Sequence, residues 1–348
     1  MIRAIITGMR FTDAIRPAHV AVIASLALIG CGGSDGVNTA LLEPGQVPEA
    51  VTAAEQVDLS QFPPLQGRTL EQLLQVASAR AQIGLGSGSF TPSERNRVAF
   101  AVLGQQGAPI YGQTVIYVAP TPGSPARGPF PAPLDPMVPQ QKFLSRQAAV
   151  APEQLKAIYA AEAPLDRPGN WAVLSLTRTP EGLVAGTTTQ LKVGRSSTIP
   201  EVGEEAPKIE TPTGAVSTTG TPVDTRDPKA PSLHEVDFAQ VVGRKPVAIL
   251  FASPQFCLTK VCGPVTDLLL QLQAAWGDRV AMIQQEPYSK FPDPGQQMKQ
   301  FGLVAPDGAF TEPWMFTVAK DGRIAARLEG AFGINEMNGA IEAAAGPD

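Results

Sequence analysis

The chain has 348 residues, 43% of them hydrophobic, which is enough for two domains with separate cores. Its net charge of −5 argues against a nucleic-acid partner, because no basic stripe offsets phosphate repulsion. Only two histidines occur, His19 and His234, which excludes most histidine-based metal centres and Ser-His-Asp triads. No bound cofactor is expected, and 34 prolines with 33 glycines predict many loops and linkers.

Arg3, Arg10 and Arg16 give the chain a basic start. Residues 20–29 (VAVIASLALI) then form an apolar run of signal-peptide length, too short to span a bilayer. The run ends in Leu28-Ile29-Gly30-Cys31, which resembles the bacterial lipobox. That resemblance implies a lipoprotein signal peptide over residues 1–30, cleavage before Cys31, and a diacylglycerol on its thiol; the alternative is an ordinary signal peptide with an incidental cysteine. A lipidated Cys31 implies a tether to the cell membrane on its extracytoplasmic face, where disulfides persist. Residues 1–30 carry three arginines and one aspartate, so their removal leaves 24 basic and 31 acidic side chains, a net charge of −7. Of the three cysteines, lipidation of Cys31 leaves one pair, Cys257 and Cys262.

Residues 31–60 are rich in small, polar and acidic side chains and read as a disordered tether. A short amphipathic helix is predicted over residues 69–79, with Leu70, Leu73, Leu74 and Ala77 on one face. Strands are predicted at 98–102 (VAFAV), 114–119 (TVIYVA), 171–176 (WAVLSL) and 187–193 (TTTQLKV), with a turn at Glu181-Gly182 between the last two. The Pro-rich stretch 120–139 reads as a long surface loop. Short strands with turns between them suggest an all-β sandwich over 61–195, and the segment loosely resembles the immunoglobulin-like accessory domains of bacterial exported proteins. That likeness implies a spacer or recognition module. A copper-binding sandwich is not expected, since the segment has no histidine and only Met137.

Residues 196–232 form a linker by composition, as in TPTGAVSTTGTP at 211–222. Within it, residues 202–207 (VGEEAP) resemble the opening of peroxiredoxin-like and membrane-anchored thioredoxin-like domains. The rest, 233–348, reads β–α–β–α–β–β–α: strands at 245–252, 279–284, 310–318 and 323–328, helices at 264–276, ending at 302 and over 334–345. The run KPVAILFA at 245–252 is nearly all apolar, as suits a strand buried on both faces.

That order resembles the thioredoxin fold. A cysteine stands between the first strand and its helix, Phe256 precedes Cys257, Pro264 lies early in the helix, and Pro313 opens the third strand. The resemblance implies that Pro313 is cis and faces the active cysteine. Departures are plain: the spacing is C-x-x-x-x-C, Lys260 falls where the second cysteine of C-x-x-C would be, and Ile249, Leu250 and Phe251 fill the strand where thioredoxins bury an acid. An alternative alignment sets Cys262-Gly263-Pro264 on the family's C-G-P.

Five helical steps carry a residue about 7.5 Å along the axis, whereas a disulfide wants Cα atoms about 4.4–6.8 Å apart. If the two cysteines pair, Cys257 therefore lies in the loop and Cys262 in the first turn of the helix. A helix N-terminus favours a thiolate, and Lys260 pushes the same way. The expectation is a multidomain, membrane-anchored extracytoplasmic thiol–disulfide oxidoreductase. Cys257 would be the nucleophile, Cys262 the resolver and Pro313 the backbone platform, with exported protein thiols or a membrane redox partner as substrates. The alternative is a binding lipoprotein whose disulfide is structural. Sco-type copper binding is a weaker alternative, because the spacing is too long and His234 lies upstream, as a solvated loop residue. Peroxidase chemistry is not expected with Pro254 three residues before Cys257. Asp267 and Glu286 could line the cleft but read by default as solvated surface, and Glu312 as a carboxylate that would raise the Cys257 pKa if it pointed inward.

Overall fold

The computed structural model describes residues 41–347, apart from 44, 150–154, 188–189, 196 and 215–221. The expected signal peptide and Cys31 lie outside the described residues. The predicted helix is real but shorter, α1 (Leu70–Leu74), capped reciprocally by Thr69 and Gln72. It stops early because the chain turns into a sheet, where Ser78 N donates to the Leu183 carbonyl.

Residues 79–193 supply β1 (Ala79–Leu85), β2 (Ser93–Leu103), β3 (Thr114–Ala119), β4 (Arg127–Pro131), β5 (Leu134–Pro136), β6 (Ala157–Leu165), β7 (Gly169–Thr179), β8 (Gly182–Thr187) and β9 (Leu191–Val193). Their side chains alternate between two buried faces. Val98, Phe100 and Val102 enter one core with Ile116, Val118, Tyr159, Trp171 and Val173. Val115, Tyr117, Leu174 and Leu176 enter a second core with Phe62, Leu70 and Leu73. Burial on both faces is why these strands read as unbroken apolar runs.

The two separate sheets of an immunoglobulin-like sandwich are not seen among the described residues. Hydrogen bonding runs through one sheet, ordered β4-β3-β7-β8-β1-β2-β6-β5, with β9 paired to β7. Two features account for this. The parallel β1–β8 pairing joins the strands into a single sheet, and the Pro-rich stretch, expected as a surface loop, provides strands at both ends of it. The sheet curls: the Tyr159 hydroxyl on β6 accepts from Gly112 N just before β3 and donates to the Ile110 carbonyl.

The C-terminal part follows the order that the thioredoxin resemblance implies. It comprises β10 (Val247–Phe251), α2 (Cys262–Trp276), β11 (Ala281–Gln285), α3 (Gln296–Gln300), β12 (Trp314–Val318), β13 (Ile324–Glu329) and α4 (Ile334–Ala345). The sheet order is β11-β10-β12-β13, with β10 and β11 parallel and β12 and β13 antiparallel to their neighbours. Residues 202–207 lie along β13, where Gly203 N donates to the Ile324 carbonyl and Ile324 N to that of Glu204.

The two sheets are not beads on a linker. Ala99 and Ala101 on the outer face of β2 share a core with Leu250, Leu268, Phe332 and Ile341. Asp135 on β5 accepts the backbone amides of Gly333, Asn335 and Glu336, capping α4 from the other sheet. Arg97 on β2 grips both carboxylate oxygens of Glu336 and donates to the carbonyls of Glu329 and Ala331. At Gly330, φ is +71° and a Cβ would fall 1.6 Å from the Gly86 carbonyl oxygen, so the contact requires glycine.

Candidate functional site

The apolar run of β10 ends at Phe251, and the chain loops out before α2 begins at Cys262. In that loop Cys257 N donates to the Ser253 carbonyl at 3.1 Å, and Lys260 turns the chain back with φ +59°. The turn brings Cys257 and Cys262 to a Cα–Cα distance of 6.0 Å, and the two form a disulfide. The expected placement holds: one cysteine in the loop, the other in the first turn. Their settings differ. Cys262 is wholly buried, while Cys257 is half-buried beside Leu258, which is 87% exposed. No side chain caps the first turn of α2, so its amides are available to a sulfur anion.

The peptide bond between Glu312 and Pro313 is cis and leads into β12. The Pro313 carbonyl accepts Gly330 N at 2.8 Å. Glu312 points inward: a carboxylate oxygen and the two cysteine sulfurs lie within 4.8 Å of one another. Its Oε2 accepts from Ser253 N at 2.9 Å and its Oε1 from the Tyr288 hydroxyl at 2.6 Å. Burial raises the Glu312 pKa, against the pull of those two donors.

A second carboxyl belongs to the same neighbourhood. Glu286, read from sequence as solvated surface, is 5% exposed. It accepts from Thr225 N at 2.9 Å, Thr225 Oγ1 at 2.7 Å and Gln284 Nε2 at 3.3 Å. Burial pushes its carboxyl up to about 7, opposed by these hydrogen bonds. The Thr225 hydroxyl also lies 3.3 Å from Ser253 Oγ and accepts from Gln255 N at 3.2 Å, which links Glu286 to the cysteine loop. β10 carries no buried acid, but one lies just past the end of β11 and reaches the cysteine loop through Thr225. Strand register held the signal: Phe251 pairs with Gln285, so the next residue falls beside the start of the loop.

Asp267 and His234 also depart from expectation. Asp267 is fully buried, bound by Arg226 Nε at 2.7 Å and by the amide and hydroxyl of Ser145 at 2.8 Å. Arg226 comes from the stretch read as linker. His234 is 3% exposed, with Nε2 3.7 Å from Asp224, and burial lowers its pKa. Among the described residues the group able to hold a metal is Cys257, Cys262 and Glu312, and only after reduction would both sulfurs be free to ligate. Beside the loop, Phe256, Tyr288, Phe291 and Phe310 pack ring to ring with centroids 5.0–6.0 Å apart. Among the described residues no helix is long and apolar enough to cross a membrane.

No family model matches the chain, and no curated protein sequence matches it. Among the solved structures that resemble part of it are two from one genus. One is a protein of Chlorobium tepidum assigned as the thiol:disulfide interchange protein DsbE, at 18% identity and a TM-score of 0.28. The other is a thiol:disulfide interchange protein of the thioredoxin family from Chlorobium tepidum TLS, at 15% identity and a TM-score of 0.26. Each alignment covers 42% of this chain and 99% of the other. At such scores the thioredoxin-like assignment rests on strand order and helix placement, not on the neighbours.

Proposed function

We propose that the chain is an extracytoplasmic thiol–disulfide oxidoreductase. It is held at the cell membrane by a lipid on Cys31 and acts on exported protein thiols or on a membrane redox partner. The observation that carries this reading is the asymmetry of the bridge: Cys257 is reachable from solvent, and Cys262 is sealed at the mouth of α2. A bridge that only pins a loop needs no accessible sulfur.

In the oxidising direction a client thiolate attacks Cys257 Sγ and the Cys257–Cys262 bond breaks. Cys262 departs as a thiolate toward the uncapped amides of α2, then takes up a proton. A second client thiolate attacks the client sulfur of the mixed disulfide. The client disulfide forms, Cys257 leaves as a thiolate, and two electrons have passed to the protein dithiol. The reducing direction runs these steps backwards, with Cys257 as nucleophile and Cys262 as resolver. Because Gly330 already occupies the Pro313 carbonyl, the backbone that meets the client is that of Glu312, one residue before the cis bond.

Thiol trapping tests the assignment. Cys262→Ser should accumulate a mixed disulfide through Cys257, and Cys257→Ser should accumulate none. Absence of an adduct from both variants, or a wild-type reduction potential below about −300 mV, would return the bridge to a structural role.

A further inference from the structure

A groove opens between the disulfide loop and the N-terminal sheet. Its volume is about 350 Å³, within the range of pockets that bind small ligands. One wall is the sheet, through Leu85, Leu103 and Ile158; the opposite wall is Val261 and Ala331, with Leu155 alongside. Thr259, whose hydroxyl is 3.2 Å from Cys257 Sγ, and Glu312, with a carboxylate oxygen within 4.8 Å of both sulfurs, also line it. Glu329, the other carboxylate on its rim, is already engaged by the amides of Gly88 and Ser89 and the hydroxyls of Ser89 and Thr311. Leu85 is left 40% exposed. The groove thus offers apolar surface and almost no unspent polarity.

We infer that this groove selects clients, taking an apolar side chain of an extended polypeptide segment next to the client's reactive cysteine. The inference rests on the exchange reading above and names its substrate class. Its occupant follows from covalent reach. A client in mixed disulfide has its sulfur bonded to Cys257, and consecutive Cα atoms are about 3.8 Å apart. Residues one to three positions from the client cysteine therefore lie within about 4–11 Å of it, close enough to reach the groove mouth at Thr259, whose hydroxyl is 3.2 Å from Cys257 Sγ. Successive side chains of an extended segment point to opposite sides, so only alternate residues enter the groove. This also gives the N-terminal sheet a task in the chemistry: it is the far wall of the specificity pocket, held in place by Arg97 and Asp135.

The test uses the full chain and two peptides with one mixed-disulfide cysteine each, flanked by leucines in one and by serines in the other. The readout is the ratio of their exchange rates with the reduced protein. The leucine peptide should react faster by on the order of tenfold. Leu85→Glu should bring the ratio toward one. Val76→Glu, which alters a comparably exposed site away from the groove (43%), should keep it. If Leu85→Glu does not fold, judged by its thermal unfolding, Leu85→Ala should still lower the ratio at least threefold. Equal rates in the wild type, or a ratio that survives in a folded Leu85 variant, overturn the groove and leave the exchange reading standing. If neither peptide exchanges, the proposed function fails and this inference falls with it.

Discussion

The two sheets solve burial in opposite ways. In the N-terminal sheet the interior is made of alternating apolar side chains on both faces, and its buried polar residues are neutral except at the junction. In the C-terminal part Asp224, Arg226, Asp267, Glu286 and Glu329 are all buried. An unpaired buried charge is costly, and each of these is met by designed partners. The contrast separates the two: the first sheet buries no charge away from the junction, whereas the second keeps several ionisable groups out of water, Glu286 among them beside the disulfide loop. It can be broken by showing that the buried charges contribute nothing.

The largest effect should come from Asp267→Ala. It leaves the Arg226 guanidinium, 3% exposed, without its carboxylate. Breaking such a pair from one side costs about 3–5 kcal/mol. Chemical denaturation measures this, and a loss below about 1 kcal/mol would show that the pair is not the bolt it resembles. Replacing both partners with apolar residues of similar volume should recover most of the loss.

Glu286→Gln comes next and turns on pH. The folded carboxyl titrates at about 7, against 4.5 for the ordinary group. Below pH 4.5 both folded and unfolded chains hold the proton, so the contribution is fully present. As pH rises towards 7, the unfolded chain releases its proton while the folded one keeps it. Stability therefore falls across that window, by about 3 kcal/mol, and levels off above it. Glutamine imitates the protonated acid, so the variant should match wild type near pH 4 and exceed it at pH 8. Parallel curves for the two proteins across the window would remove Glu286 as a buried acid.

These two carboxyls also mark the limit of what sequence pattern discloses. The KPVAILFA run, the helix after the cysteines and Pro313 were legible because each is a local signal: composition, periodicity or a single special residue. Arg226 was not, because its partner is 41 positions away and its surroundings read as linker. β4 and β5 were not, because prolines at the ends of a sheet erase the alternation by which strands are recognised. β1 was hidden for another reason, since its pairing with β8 joins residues about a hundred positions apart. Glu312 stands out in the sequence by preceding Pro313, but its direction depends on the Tyr288 hydroxyl and the Ser253 amide, which no spacing reveals.

Glu312→Gln sharpens the contrast at the bridge itself. A carboxylate within 4.8 Å of both sulfurs disfavours a thiolate there. Removing its charge should lower the Cys257 thiol pKa and speed alkylation of the reduced protein by iodoacetamide by about three- to tenfold at neutral pH. The gain should shrink as pH falls into the raised range where Glu312 takes up its own proton. An unchanged rate at every pH would mean that the carboxylate does not act on the sulfur.

The smallest effect separates two arginines on one strand. Arg95 and Arg97 both lie on β2 and both meet a glutamate, Glu162 and Glu336, with closest distances of 2.6 Å. Distance therefore cannot rank them, but exposure can. The Arg95 and Glu162 side chains are 76% and 58% exposed, whereas those of Arg97 and Glu336 are 19% and 22%. Water screens the first pair, and two long side chains must be ordered to form it, so a double-mutant cycle should give about 0.2–1 kcal/mol. Arg97 also holds the carbonyls of Glu329 and Ala331, so its cycle with Glu336 should return a larger coupling, and Arg97→Ala alone a loss larger still. Equal couplings for the two pairs would mean that the junction between the sheets is no drier than the open surface.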